Sequence, residues 1–475
     1  MSGPVIGILQ LARFGDLIQT SPLIQRLRAT HPDARLSLLV DARNAPVAKM
    51  LADIDEVLPL PVGQLPYDPH ATLSDRFRAL RDWLRPVLER DPFDTLITLN
   101  MDPFTGALAE LLPARERRGP RPRRVVPAPH RYLAVATQDR TFNPIHLSEV
   151  WAAYTGFSGP VPEPQIQNYQ LGTGFALDTR SSSLSSMKIK RFAVNLGAKA
   201  AGRRPPWEKL AEIVAGLLAR SDAEIVLLGL PEDRDTASSL IQSLPDNQRD
   251  RITDLTGATA ISDLPGVLSA CDVLISSDTG TLQLAAATKT PCVGLFMAGA
   301  NPVETGPYLN GAVAVVRRNT LEFNENQRDD LHGLPVQTIV RLASALADGD
   351  EPQRSLIDAN NAFAVLVARP DDVGLCYAPL AGTERVPLGQ GQRWTPYLRW
   401  LIHGEAALGT ANVPNDAFLS DEQRGVLAKL MTNPGTAFPG EERWLGTIVQ
   451  AFVGETAALL TETSSAVQQR MGIQA

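Results

Sequence analysis

A chain of 475 residues is too long for one ordinary core and sets an expectation of two domains with additional structure. With 44% hydrophobic and 20% charged residues it is a globular sequence, and its net charge of -7 excludes the broad basic surface of a general nucleic-acid binder. Any anion must be met by local groups. Cys271, Cys292 and Cys376 form no CxxC and have no histidine at metal-binding spacing, which argues against a zinc site or a disulfide framework. The opening MSGPVIGILQLARFGD lacks a basic n-region followed by a cleavable apolar stretch, and no apolar run reaches the roughly 20 residues that span a bilayer, so a cytoplasmic protein is expected.

From Pro4 to about Val126, short apolar runs alternate with segments of helical spacing. PVIGILQLA, ARLSLLVDA, DEVLPLP, FDTLITLN and RRVVPA read as strands; LIQTSPLIQRLRAT, APVAKMLADI, SDRFRALRDWLRPVLERD and TGALAELLPA read as helices. A Ser-rich stretch, Ser181 to Ser186, interrupts the series and reads as part of a linker over 171–190. The alternation restarts with RFAVNLGA, WEKLAEIVAGLLARS, AEIVLLGL, DRDTASSLIQSLP, RITDLTG, ISDLPGVLSAC, DVLISSD, TGTLQLAAATK and PCVGLFM. Two doubly wound α/β domains, 1–170 and 191–345, are predicted, with strand carboxyl ends facing a cleft. Residues 346–475 read as a mostly helical extension, with a capping box at Ser420-Asp421-Glu422-Gln423 and an apolar stripe from Trp444 to Val453.

Ligands of such folds sit at strand carboxyl ends, where helix N-termini offer amides and a positive dipole. SSDTGTLQLAAATKTP is a turn of this kind. Asp278 follows the strand, and Thr279 and Gly280 open the helix, either as an ordinary cap or as a seat for a phosphate that the glycine lets approach. In LARFGDLIQTSPL, Asp16 is a second N-terminal carboxylate, either a cap or a general base for a hydroxyl held against it. Arg203 and Arg204, in GAKAAGRRPPWEKL, can neutralise a diphosphate or stand in a solvated loop. Asp254, Thr256 and Gly257 end another strand, where a carboxylate can accept ribose hydroxyls. Arg115, Arg117, Arg118, Arg121, Arg123 and Arg124 crowd one segment, suited to a phosphorylated acceptor, to an anionic membrane surface or to plain solvation. His146 reads as a cleft residue or a buried helix histidine. Asp53 and Asp55 have a metal-chelating spacing but precede the third strand and read as surface charges.

LARFGDLIQTSPLIQRLRATHPDARLSLLVDA and DVLISSDTGTLQLAAATKTPCVGLFMAGANPVETGPY resemble glycosyltransferase family 9, the lipopolysaccharide heptosyltransferases, with VLLGLPEDRD and ITDLTGATAISDLPGVLSACD between them in the family's order. The resemblance covers about residues 5 to 345. It implies a GT-B fold whose C-terminal domain holds a nucleoside-diphosphate sugar, ADP-heptose above all, while the N-terminal domain holds a glycolipid or glycan acceptor. It also implies an inverting reaction without metal or other cofactor, at the cytoplasmic face of the inner membrane. By the same resemblance Asp16 matches the catalytic base, Asp278, Thr279 and Gly280 match the donor motif, and Asp254 falls near the acidic residue that contacts the nucleoside. Read from the residues themselves, Gln283, Arg203, Arg204 and Gly257 join the donor site, and Arg13, Arg117, Arg118 and His146 are assigned to the acceptor. The family's histidine three residues after the glycine is Gln283 here, and its basic-x-Trp-Pro element becomes Arg203-Arg204-Pro205-Pro206-Trp207. A protein acceptor recruited by the C-terminal extension and an inactive nucleotide-sugar-binding scaffold are the alternative functions.

Overall fold

The computed structural model describes residues 3–60, 72–120, 127–136, 142–155, 160–167, 189–318, 333–358, 362–371 and 374–380, with single positions at 62, 140, 320, 398 and 447. The expected Ser-rich linker, the strand RRVVPA apart from its last residues, the capping box at Ser420 and the stripe from Trp444 lie outside the described residues. The chain divides into two compact units, one containing Met1–Arg13 with Pro22–Val161, the other Phe14–Ser21 with Pro162–Pro387.

The first unit is built on β1 (Val5–Gln10), α1 (Phe14–Thr30), β2 (Arg35–Asp41), α2 (Ala45–Ala48), β3 (Glu56–Leu60), α3 (Leu73–Leu88), β4 (Phe93–Thr98), α4 (Pro103–Leu111), β5 (Ala114–Arg118), α5 (Ala128–Ala136) and α6 (Leu147–Ala152). Its five strands are parallel in the order β3-β2-β1-β4-β5. The order reverses between β1 and β4, which makes their carboxyl ends the topological switch point. α1 opens with Phe14–Ser21, which belong to the second unit, and Pro22 inside the helix marks the division.

The fifth strand departs from the sequence reading. It is ARERR, inside the arginine-rich segment ahead of the expected strand RRVVPA. At a sheet edge only one side of a strand must pair, and its charged side chains keep the other side from recruiting a further strand. In the second expected helix only Ala45–Ala48 is helical; the chain turns soon after and Asp53 takes φ 66.

The second unit contains β6 (Lys190–Asn195), α7 (Trp207–Leu218), β7 (Ala223–Leu228), α8 (Arg234–Gln242), α9 (Asp246–Arg249), β8 (Ile252–Asp254), α10 (Leu264–Ser269), β9 (Val273–Ser277), α11 (Gly280–Ala287), β10 (Cys292–Phe296), α12 (Pro302–Thr305), β11 (Val313–Arg317), α13 (Val336–Asp348), β12 (Phe363–Pro370) and β13 (Leu375–Pro379). The eight strands run β13-β12-β11-β10-β9-β6-β7-β8. The six from β11 to β8 are parallel, with the switch point between β6 and β9. Helices cover both faces of a doubly wound sheet, so its central strands are unbroken apolar runs, and β9 and β10 are buried at every residue.

β12 and β13 are antiparallel additions, joined by a turn in which the Asp371 carboxylate accepts from Gly374 N–H. The sheet therefore runs past residue 345 into the segment expected to be helical, and Phe363, Val365, Val367 and Leu380 close the same core as β6, α7 and α13. Cys271 and Cys292 are buried small core residues, and burial pushes both thiols up to about 12. Among the described residues no helix is long and apolar enough to cross a membrane.

Candidate active site

At the switch point of the second sheet, Asn195 ends β6 and its amide donates to Gly197 O (2.9 Å) and to the Ser276 hydroxyl (3.2 Å) at the end of β9. The Ser276 hydroxyl donates to Ser277 O (2.9 Å) and stands 3.1 Å from the Thr279 hydroxyl. Thr279 is the N-cap of α11 by its extended backbone, φ -139 and ψ 167, yet its side chain makes no cap hydrogen bond. The turn is thus not the ordinary side-chain cap that the sequence left open. Leu282 N–H donates to Thr279 O at 3.0 Å, and the Gly280 and Thr281 amides, which take no cap from the Thr279 side chain, stand at the positive dipole end that suits an anion. Ser277, just before them, buries its hydroxyl without a hydrogen-bond partner.

Asp278 lies beside these amides and pairs with Arg203. Nη1 of Arg203 is 2.9 Å from Oδ2 of Asp278, with the two side chains 19% and 13% exposed. Arg203 closes a 3-10 turn, Ala201–Arg203, between β6 and α7, and its Nε reaches Ala298 O at 3.5 Å. Ala298 adopts φ 42, in the left-handed region that alanine rarely enters, so the turn after β10 is strained where it meets the arginine. Arg204 instead binds Ala198 O and stands 3.6 Å from Asp233.

Asp233 was not singled out by the sequence. It is buried, accepts from Leu230 N–H at 2.9 Å, and fills the space that two glycines leave after β6 and β7. A Cβ at Gly197 would lie 2.2 Å from its carboxylate, and one at Gly229 3.0 Å from its Cβ. The paired post-strand glycines were the available signal.

Gln283 is 3% exposed; its Nε2 donates to Thr305 O at 2.6 Å and its Oε1 has no partner. Gln19, in the part of α1 that belongs to this unit, donates to the same carbonyl at 3.3 Å. The Phe14 ring stands over Gly280, where a Cβ would come within 2.0 Å of it. The missing side chain therefore admits a ring in this structure, beyond any role in admitting a phosphate. Asp254 is exposed, and its carboxylate accepts from Thr256 N–H at 2.9 Å, shaping the turn into Gly257 at φ 67.

Asp16 sits in the first turn of α1, half-buried, and its carbonyl accepts from the Thr20 hydroxyl at 2.9 Å. Arg13 is exposed just ahead of it. Two of the residues assigned to the acceptor have structural employment. Arg117 donates to Ala109 O, Leu112 O and Ala114 O, closing the carbonyl end of α4, so its guanidinium is engaged by backbone. His146 is buried as the N-cap of α6, where Nδ1 accepts from Ser148 N–H at 3.1 Å, the buried-histidine alternative. Arg118 is a surface residue paired with Glu116 at 2.8 Å, and Arg115 pairs with Asp94 at 2.7 Å. Arg121, Arg123 and Arg124 lie outside the described residues. Asp55 holds Leu36 N–H and Arg28, a structural charge, and among the described residues no three acidic, histidine or cysteine side chains group as a metal site would need.

His130 also escaped the sequence reading. Fully buried, it donates from Nε2 to Leu99 O (2.9 Å), which obliges Nδ1 to accept from the Tyr154 hydroxyl. Burial lowers its pKa to about 4 and keeps the imidazole neutral.

The family model described as glycosyltransferase family 9 (heptosyltransferase) matches residues 87–332. The chain belongs to glycosyltransferase family 9. Lipopolysaccharide heptosyltransferase 2 of Salmonella typhimurium is 23% identical over 67% of this chain and 89% of that relative. Lipooligosaccharide heptosyltransferase 2 of Haemophilus influenzae is 20% identical over 70% of this chain and 94% of its own. Among solved structures, the E. coli ADP-heptose lipopolysaccharide heptosyltransferase II superposes with a TM-score of 0.54 at 19% identity, over 74% of this chain and all of that one. The family 9 glycosyltransferase of Veillonella parvula gives 0.55 at 19%, over 74% and 99%. These likenesses bear out the expected GT-B class of two Rossmann-like domains. This family 9 member is a glycosyltransferase, and about a quarter of its chain lies outside the part shared with those structures.

Proposed function

We propose that this glycosyltransferase moves heptose from a nucleoside-diphosphate donor, ADP-heptose, to a lipopolysaccharide-type glycolipid, with inversion at the anomeric carbon. The names of the heptosyltransferase relatives support the sugar and the acceptor class. The observation that carries the reading is the start of α11, whose amides take no cap from Thr279 and lie beside the Arg203–Asp278 pair. A leaving diphosphate needs such a set of donors, because negative charge grows on it as the glycosidic bond breaks.

In this reading the Asp16 carboxylate takes the proton of the acceptor hydroxyl as its oxygen attacks the anomeric carbon. The bond from that carbon to the β-phosphate oxygen breaks, and its electron pair leaves with the diphosphate. The amides of Thr279 and Gly280, where α11 begins, and the Arg203 guanidinium receive that charge, with Arg204 behind them. Asp278 orients Arg203 and faces the sugar, and Asp254 and Gly257 take the nucleoside. Gln283 has its amide nitrogen bound to Thr305 O, so its carbonyl oxygen is left to accept a sugar hydroxyl. Arg13 and Arg118 supply charge for a phosphorylated acceptor at the cytoplasmic face of the inner membrane. No step of this scheme calls for a metal ion.

The test is release of nucleoside diphosphate by the purified full-length chain, with ADP-heptose and heptose-deficient lipopolysaccharide, with and without EDTA. Heptose-dependent release that needs both substrates is expected. No release from ADP-heptose alongside release from another nucleotide sugar would reassign the donor.

A further inference from the structure

The Thr305 carbonyl is shared by two buried amides. Gln283 Nε2 donates to it at 2.6 Å and Gln19 Nε2 at 3.3 Å, and neither Oε1 has a hydrogen-bond partner among the described residues. A carbonyl can only accept, so it obliges each amide to present its nitrogen and leaves the amide oxygen as an unused acceptor. Where Thr305 O stands therefore decides where the Gln283 acceptor stands.

Thr305 ends α12, a single turn capped by Asn301, and Gly306 N–H closes that turn on Pro302 O at 2.8 Å. The chain that follows is held by the hairpin β12–β13, which lies beyond the residues 87–332 matched by the family model. Tyr377, buried on β13, donates its hydroxyl to Pro307 O at 2.8 Å. In return, Leu375 N–H of the hairpin donates to the Tyr308 hydroxyl oxygen at 2.9 Å. Gly306 passes so close to Tyr377 that a Cβ there would lie 2.7 Å from the hydroxyl and 2.8 Å from the ring. Burial pushes the Tyr377 hydroxyl well above its usual range, with Cys292 and Asp278 adding to it, so the group is protonated and donates.

We propose that Tyr377 is a positioning residue for Gln283, acting through the Thr305–Gly306 peptide, so that a hairpin beyond the family core completes the sugar end of the donor site. A side chain that binds a ligand keeps its geometry only when its own partners are held, and Tyr377 holds the partner of Gln283. The proposal rests on the reading of Gln283 as acceptor for a hydroxyl of the donor sugar. ADP lacks the heptose, so an effect carried by Gln283 shows in ADP-heptose binding and not in ADP binding.

The experiment measures Kd for ADP-heptose and for ADP by calorimetry, with the melting temperature, on the full-length parent, Y377F, Q283A and Y377F/Q283A. Q283A should weaken ADP-heptose by about 3- to 10-fold, the range of one neutral hydrogen bond, and leave ADP within about twofold of the parent. Y377F keeps the ring, loses the bond to Pro307 O and should show the same selective loss. Y377F/Q283A should bind ADP-heptose no more weakly than Q283A, because the two residues act in series. A purely structural role would lower the melting temperature and weaken both ligands alike. Parental ADP-heptose affinity in folded Y377F, equal weakening of ADP and ADP-heptose, or an additive double variant overturns the proposal and leaves Gln283 in the donor site. Should Y377F fail to fold, Y308F, which loses the other bond between hairpin and turn, takes its place in the cycle under the same criteria. Parental ADP-heptose affinity in folded Q283A removes the reading of Gln283, and the proposal with it.

Discussion

The Arg203–Asp278 pair has two roles that a thermodynamic cycle can separate. Arg203→Met keeps most of the stem and removes the charge from a contact of 2.9 Å between side chains only 19% and 13% exposed. Unit charges about 4 Å apart attract by about 4 kcal/mol at an effective dielectric of 20, and desolvation offsets part of this. Loss of the guanidinium from the largely buried Asp278 carboxylate should cost about 1–3 kcal/mol of stability, read as a lower urea midpoint. If Arg203 also meets the leaving diphosphate, kcat falls by about 10²–10³. Asp278→Asn removes the charge that has lost its guanidinium, so R203M/D278N should regain stability relative to R203M, with a coupling of about 2 kcal/mol. The rate should not return, since no guanidinium faces the diphosphate in either variant. Nucleoside diphosphate release gives kcat, and urea unfolding gives stability. A double variant that turns over as fast as D278N alone would show that Arg203 serves only to hold Asp278 and would refute the leaving-group role.

Three further outcomes follow from the geometry. The pKa of His130 is lowered in the folded state to about 4 from 6.5, so the stability it contributes is present in full above pH 6.5 and lost as pH falls toward 4, about 3 kcal/mol in all. His130→Gln should lose less stability than the parent between pH 7 and 4.5 by urea titration; an unchanged difference would contradict the neutral, buried imidazole. Gly280→Ala sets a methyl 2.0 Å from the Phe14 ring and should destabilise by about 1–3 kcal/mol, relieved in F14A/G280A; an additive double variant would rule out the clash. A chain ended at residue 358 lacks β12 and β13, which seal the core with Phe363, Val365 and Val367, and should fail to unfold cooperatively; a sharp two-state transition would show that the hairpin is dispensable.

Strands and turns of both units were legible wherever a parallel strand buried on two faces left a continuous apolar run, as in DVLISSD and PCVGLFM. The edge strand β5 and the added pair β12 and β13 were not. ARERR is an edge strand among the described residues and carries charge, and β12 and β13 follow each other without an intervening helix, breaking the rhythm that marked the others. FAVLVARP followed by Asp371-Asp372-Val373-Gly374 and a second apolar run held the signal of a hairpin, hidden by the expectation of a helical tail. At the site, short polar residues after strands flagged Asp16, Asp278 and Arg203 by chain position alone. Asp233 escaped because the space it fills is left by glycines after two different strands, Gly197 and Gly229. The arginine cluster misled because which arginine faces solvent and which closes α4 depends on strand register, which six arginines within ten residues do not disclose.

The most direct measurement of the central claim is Asp16→Asn in the full-length protein, with donor affinity by calorimetry and turnover by release of ADP from ADP-heptose in the presence of heptose-deficient lipopolysaccharide. An asparagine keeps the shape of the carboxylate and cannot take the proton. The account predicts a loss in kcat of about 10²–10⁴ with donor affinity within about threefold of the parent. Parental turnover in a folded D16N protein would contradict it.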